Sequence, residues 1–379
     1  MLRRYEGTTM FSFAPLIYAI NARNIAITTR AGDGATPTID GDGEKWQQWM
    51  LQGETKREKA GRIASYKYAK QLNNDNLPLD KRIFINPEED FFRPGLIEFY
   101  LCERVKVEGV KLTNSPFWVI HPIFSKNLVF RNLFYDCQVV NNDGIDPESC
   151  HNVLIENIIF NNHDDNVAIK SGRDREAREG LAVMGLITDS LNTGFLKDGM
   201  LKGRSENIVI RNSVFKGHHA ICIGSEIAGG AKNIYAFDNI APQEVYIGIF
   251  LKSSRKRGGT IENVFVENFK MNECKVAAIT LNPNYDGDPE SKFPPSLKNV
   301  YIQDVTVNKA KKGISLWGWP DSITKNIFLK NININQTVDE RFEYNHIEGV
   351  ILTNVKVKGQ IFDGQYKKSE VKSLPPRQD

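Results

Sequence analysis

Asparagine followed by apolar–x–apolar recurs along the chain, often with a second Asn or Asp and another apolar–x–apolar behind it. The copies are NIAI from Asn24, NLVFRNLF from Asn127, NVLIENIIF from Asn152, NIVIRNSVF from Asn207 and NIYAFDNI from Asn233. NVFVENFKM from Asn263, NVYIQDVTV from Asn299 and NIFLKNINI from Asn326 continue the series, and GVILTNVKV from Gly349 is a degenerate last copy. Period-two alternation predicts strands, so each copy predicts two short strands separated by an Asn or Asp corner. An isolated copy cannot bury its apolar face, whereas stacked copies share a continuous core. Several copies lie about 25–30 residues apart, within the range of stacked repeats. The architecture expected is all-β, a parallel β-helix with rungs about 4.8 Å apart. A β-propeller is the runner-up, but its repeats run to about 40 residues or more with four strands each. Asn suits the corners because it tolerates left-handed backbone, and stacked Asn side chains can bond along a ladder.

Two segments break the pattern. Gly43 to Asn86 is charged and carries Trp46, Trp49, Tyr66 and Tyr68, which predicts a long side loop or a short helical excursion. Arg175 to Arg204 is a second excursion. Residues 1–365 are expected to form a single β-helix domain, with 366–379 a polar, disordered tail ending in Pro-Pro-Arg-Gln-Asp.

Composition narrows the function classes. A formal net charge of +3 and a pI near 8.4 are too mild to point to nucleic acid. No run of about 18 apolar residues marks a membrane span. The five cysteines, Cys102, Cys137, Cys150, Cys222 and Cys274, show no CxxC spacing, which speaks against a zinc site or disulfide framework and for small buried strand residues. No apolar signal region follows Met1, so no secretion signal is visible in the chain. Asp40-Gly41-Asp42-Gly43-Glu44 lacks the spacing of a calcium loop and predicts a tight turn. Neither a metal nor a cofactor is expected.

The candidate chemistry is concentrated between Asn141 and Asp174, NNDGIDPESCHNVLIENIIFNNHDDNVAIKSGRD. Four aspartates lie there in two clusters, Asp143/Asp146 and Asp164/Asp165, joined by the alternating segment from Val153 to Phe160. In a coiled chain such clusters stack on successive layers and face one groove. An Asp in an N-x-D-G turn is by default a turn residue bonding its own backbone. The conjunction of Asp143, Asp164 and Asp165 with His218 and Lys252 at repeat spacing outweighs that reading.

Together these residues resemble glycoside hydrolase family 28, the polygalacturonase-like enzymes of pectin breakdown. The family motif N-T-D-G-x-D is similar to Asn141-Asn142-Asp143-Gly144-Ile145-Asp146, and G-D-D to His163-Asp164-Asp165, followed by Ala168-Ile169-Lys170-Ser171-Gly172. G-H-G is represented by Gly217-His218-His219, and R-I-K by Phe250-Leu251-Lys252. Asn114 to Trp118, His121-Pro122, Gly224-Ser225-Glu226 and Gly229-Gly230 also look family-like. The resemblance implies a right-handed parallel β-helix, hydrolysis with inversion, a pectic polysaccharide partner, and a secreted or periplasmic location. Inversion needs one carboxylic acid for the leaving oxygen and a carboxylate for water, roughly 6.5–9.5 Å apart. Carried over by motif, Asp164 is the general acid, Asp143 and Asp165 hold and deprotonate the water, and His218 supports the acid. Lys252 binds a substrate carboxylate, with Tyr285, Asn141, Phe250 and His121 as further substrate contacts, while Asp146 stays structural.

The chain departs from the family pattern in three ways. Phe250 replaces an arginine clamp, which suits a methyl-bearing sugar such as rhamnose unless Arg255 or Arg257 substitutes for it. His163 and His219 replace glycines and crowd the cleft with imidazole. An early coil and cap expected from the family are not seen before the first repeat. Galacturonan and rhamnogalacturonan both remain open as substrates. A calcium-dependent β-helix lyase with a Lys or Arg base, and a non-catalytic carbohydrate-binding β-helix, are the competing functions.

Overall fold

The computed structural model describes residues 1–29, 36–287, 289–339 and 341–368, and in it the repeats coil into a parallel β-helix. Its first wall stacks Arg23–Ile27, Glu103–Glu108, Lys126–Arg131, His151–Glu156 and Ser205–Arg211 in parallel register. It continues through the long corner-turning strands Ala231–Lys252, Thr260–Asn282 and Ser296–Trp317. Leu128, Val153, Ile208, Ile234, Val264, Val300, Ile327 and Val350 are partners in one inward column. None is more than 2% exposed. Burying each such side chain contributes about 1.5–3 kcal/mol, which is what drives the coil to close.

The corner asparagines behave as their position in the repeat predicts. Asn127, Asn152, Asn207, Asn233, Asn263, Asn299 and Asn326 all have φ between 57° and 60°. From Asn152 onward each side-chain amide donates to the corner Asn of the preceding rung, Asn233 to Asn207 at 3.0 Å and Asn263 to Asn233 at 3.0 Å. The ladder ends at Gly349, which keeps φ at +66° and where a Cβ would meet the Asn326 Oδ1 at 2.9 Å.

A second wall positions the candidate site. Ile17–Ile20, Ile97–Tyr100 and Ile120–Ile123 lie parallel, as do Val167–Ile169, Ile221–Ile223 and the Ile249–Leu251 part of the long strand. Ile145 bridges Ile120 to Val167. Its inward positions join the main core, and the alternate, outward positions include His121, Ala168, Cys222 and Phe250. A third wall carries Thr38–Asp40, Lys111–Thr113 and Phe134–Asp136.

The first excursion is helical, α1 at Gly43–Lys59 and α2 at Ser65–Asn74. It packs with an N-terminal hairpin, Leu2–Tyr5 against Thr8–Phe11, through Tyr5, Met10, Ala69, Leu72, Phe84, Phe92, Phe117 and Trp118. The second excursion holds α3 at Asp174–Glu179 and a small antiparallel sheet, Leu181–Ala182, Leu196–Lys197 and Met200–Leu201. Asp40 to Glu44 is a turn running into α1, with the Asp40 carboxylate accepting from the Asp42 amide at 2.9 Å. The cysteines are unpaired and buried. The boundary expected at residue 365 falls inside a strand, Gly364–Lys368, because Tyr366 packs on Phe342 and Tyr344 and covers the last rung. The rest of the expected tail, residues 369–379, lies outside the described residues. Among the described residues, no helix is long and apolar enough to cross a membrane.

Candidate active site

Register explains why residues far apart in sequence meet. Ile145, Val167 and Ile221 are partners on successive rungs. Asp143, Asp165 and His219 each stand two residues ahead of them, so the three side chains leave the coil in one row. Backbone bonds fix that row: the Gly144 amide donates to the Asp165 carbonyl at 2.8 Å, and the Asn166 amide to the His219 carbonyl at 2.9 Å. Asp164 and His218 sit one residue further from the wall on the same two rungs. Their Oδ1 and Nδ1 atoms are 3.4 Å apart.

A pocket of about 320 Å³ opens over this row. Asp143, Asp164, Asp165, Lys170, Lys252, Asn141 and Tyr285 line it, together with Trp118, Arg173, Ser225, Glu226, Arg257 and Asp286. Glu6 from the N-terminal hairpin and Lys70 from α2 complete the lining. The backbone at Gly7 approaches Arg173 so closely that a Cβ would meet its amide nitrogen at 2.6 Å, and φ there is +80°. Glycine thus lets the hairpin tip dock beside the pocket. The second excursion contributes nothing to this lining; its Ala177, Arg178, Lys202 and Arg204 border a different depression.

Each buried charge in the pocket has a partner. Lys252 Nζ lies 2.7 Å from Asp165 Oδ2, and His219 Nδ1 lies 2.5 Å from Asp165 Oδ1. Lys170 Nζ contacts Asp143 Oδ2 at 3.2 Å, Glu226 Oε2 at 3.2 Å and Asp146 Oδ1 at 3.4 Å, above the Trp118 ring. Arg173 pairs with Glu226 and with Glu6 at 3.2 Å. Arg257 reaches Asp286 at 2.9 Å, Asp174 at 3.4 Å and Glu226 at 3.6 Å.

These surroundings pull the carboxyl groups apart. Burial works to raise the Asp165 pKa, but Lys252 and His219 outweigh it and hold the group well below the usual carboxylate range. For Asp143, burial and the neighbouring Asp146 raise the pKa well above that range against the pull of Lys170. Burial pushes Asp146 up to about 8, with Lys170 opposing. Burial likewise lowers the His219 imidazole to about 4 despite Asp165, so it is neutral near pH 7. Burial would lower Lys170 and Lys252, yet their carboxylate partners win and raise both well above an ordinary lysine. One carboxylate is therefore held ionised beside another that holds its proton, the pattern that separates acid from base roles.

The structure brings Asp143, Asp164, Asp165, His218, Lys252, Asn141 and Tyr285 to one place. Asn141 accepts from Arg93 Nη2 at 2.6 Å, and the Tyr285 ring centroid is 5.1 Å from Lys252 Nζ. Two expected contacts are corrected. Phe250 points out of the coil but is 1% exposed, packed with Ala168, Cys222 and Ile247 and capped by the His219 and Tyr285 rings. It offers no apolar face to a sugar. His121 is also 1% exposed, bonded to Glu148 at 2.7 Å and edge-on to Trp118, below the pocket. Lys170, Arg173 and Glu226, in the stretches AIKSGR and GSE, are pocket residues to which the repeat pattern gives no role. Glu6 and Lys70 carried no signal, because only the packing of the hairpin and α2 brings them here.

Among curated relatives, a probable polygalacturonase of Vitis vinifera is 26% identical over 330 residues, 85% of this chain and 55% of that protein. A polygalacturonase of Saccharomyces cerevisiae is 24% identical over 344 residues, 83% of this chain and 73% of the other. The chain spans about half the length of the grapevine relative. Among solved structures, an exopolygalacturonase from Thermotoga maritima superposes with a TM-score of 0.76 at 29% identity, covering 97% of this chain and 78% of that one. A polygalacturonase from Erwinia carotovora shares the fold, with a TM-score of 0.55 at 19% identity over 89% of this chain and 74% of that one. The model of the glycosyl hydrolases family 28 matches residues 86–348, the span that carries the aspartate row, both histidines and Lys252, and the chain belongs to that family.

Proposed function

We propose that the protein hydrolyses pectic galacturonan with inversion and removes residues from a chain end. The observation that carries this reading is the row of carboxyl groups, Asp143 and Asp165 with Asp164 beside them, inside a pocket of fixed cations. Asp165, held ionised, takes the proton of the attacking water, and Asp143, held protonated, positions that water. Asp164 is more open than either, with 27% of its side chain exposed against 3% for Asp165 and 5% for Asp143. It donates its proton to the leaving oxygen, with His218 beside it.

Uronate carboxylates match the cations at the pocket wall. Lys70, Arg173, Arg257 and Lys252 all line the pocket. Glu6 and Lys70, delivered by the hairpin and α2, occupy ground that an open groove would leave free. A volume of about 320 Å³ is at the small end for ligand pockets, about 300–1,000 Å³. A short chain end fits this space better than the middle of a polymer, in keeping with the exopolygalacturonase from Thermotoga maritima. The covered ring of Phe250 removes the reason to expect rhamnose. Lys170 and Lys252 are disfavoured as a lyase base because both are held as paired ammonium ions, and a base needs a free amine. Lys70, whose pKa burial and Arg173 lower, is paired with Glu6 at 3.7 Å.

Sizing the products from homogalacturonan oligomers tests the reading. Free galacturonate released from the first turnover, with the oligomer shortened one residue at a time, is expected. A ladder of internal fragments, or an unsaturated product absorbing in the ultraviolet, overturns it.

A further inference from the structure

His219 stands where the family motif G-H-G has its second glycine, and it puts a second imidazole beside the aspartate pair. Asp164, Asp165, His218 and His219 each offer one ligand atom, and the four atoms all lie within 4.8 Å of one another. Ligands about 2.0–2.1 Å from a tetrahedral ion are about 3.4 Å apart. Of the His218 Nδ1 distances, 3.4 Å to Asp164 Oδ1 is at that value and 3.8 Å to Asp165 Oδ1 is slightly above it. His219 Nδ1 and Asp165 Oδ1, at 2.5 Å, need to part by a small side-chain rotation.

We propose that Asp164, Asp165, His218 and His219 form a binding site for a divalent transition ion such as Zn²⁺, one that a chain with glycine at position 219 lacks. Two imidazoles and two carboxylates suit Zn²⁺, Co²⁺, Ni²⁺ or Cu²⁺, whereas Mg²⁺ and Ca²⁺ prefer oxygen alone. His218 Nδ1 is buried and, among the described residues, faces only the two carboxylates, at 3.4 and 3.8 Å. Tyr246 lies against the His218 ring with centroids 4.5 Å apart, and Phe250 supports the His219 ring from below at 5.2 Å. Both imidazoles are thus held by packing in a wall of the groove. Lys252 opposes the ion electrostatically, but it contacts Asp165 Oδ2 and leaves Oδ1 for the metal. Under the hydrolase reading, the ion occupies the lone pairs that Asp164 and Asp165 need. It then acts as a reversible inhibitor that substrate and chelators displace.

Co²⁺ is the probe, because its visible spectrum reports coordination without any assay of activity. Wild-type protein titrated with Co²⁺ is expected to take up one equivalent with the intense bands of a four-coordinate site, displaced by Zn²⁺ and not by Mg²⁺ or Ca²⁺. Replacing a single ligand is expected to weaken binding by about tenfold or more in His219→Gly and in His218→Gln, each checked for native circular dichroism. Zn²⁺ is also expected to raise the melting temperature of wild type more than that of either variant. No Co²⁺ uptake by wild type, a six-coordinate spectrum, or equal affinity in wild type and both folded variants overturns the proposal. These outcomes are independent of whether galacturonan is cleaved.

Discussion

The Lys252 ammonium lies 2.7 Å from the Asp165 carboxylate, and both side chains are at most 5% exposed. The pair does two things at once. It compensates a charge that burial alone would neutralise, and it holds the proposed base ionised. Removing the cation therefore raises the Asp165 pKa. Lys252→Met is expected to move the acidic limb of the kcat/KM profile to higher pH and to lower the plateau. A rise in KM with an unmoved pH profile would assign Lys252 to substrate binding alone.

Asp164→Asn keeps size and shape but cannot deliver a proton. General acid catalysis supplies about 10²–10⁴-fold, so turnover on galacturonan oligomers is expected to fall by at least that factor. Oligomer binding, measured by calorimetry, is expected to stay close to wild type. Comparable turnover in the folded variant would remove Asp164 from the mechanism.

Asp146 couples the site to stability. Its pKa is pushed up to about 8 by burial, with Lys170 opposing from 3.4 Å away. An acid with a raised folded-state pKa adds stability below its unfolded value, and that contribution is lost as pH rises through the folded value. The window here runs from about pH 4 to about pH 8. Asp146→Asn removes the penalty of the buried charge. Relative to wild type, the variant is expected to gain roughly 2–5 kcal/mol between about pH 5 and about pH 9. Chemical denaturation at the two pH values reads this directly, and a difference independent of pH would contradict it.

The Asn ladder offers a check on the fold. Asn233 holds φ at 57° and bonds Asn207 and Asn263, each at 3.0 Å. Asn233→Ala loses both bonds and strains the backbone, for an expected cost of about 2–3 kcal/mol. Asn233→Gly keeps the backbone free and is expected to cost less. Equal losses would show that the left-handed corner is not what Asn233 supplies.

How far the sequence reached follows from the geometry of a coil. One repeat specifies its own corner and its inward column, so Asn127 to Gly349 reads directly as stacked rungs. The aspartate row was legible for the same reason, since Asp143 and Asp165 hold equivalent places in adjacent repeats. Coverage of a side chain depends on the rungs beside it. Phe250 looked available as a sugar contact because nothing local announces that His219 and Tyr285 close over it. Lys170 and Glu226 gained their roles from ion pairs spanning 56 residues of sequence. Glu6 and Lys70 depend on how an excursion folds back, which alternation within a strand does not encode.

The central claim is that a water activated by Asp165 attacks the anomeric carbon directly while Asp164 protonates the leaving oxygen. Proton NMR of a galacturonan trimer during the first turnovers, before mutarotation, tests this most directly. The account predicts that galacturonate appears first as the β-anomer from the α-linked chain, with Asp165→Asn giving none. First appearance of the α-anomer, or a covalent glycosyl adduct on Asp143, Asp164 or Asp165, would contradict it.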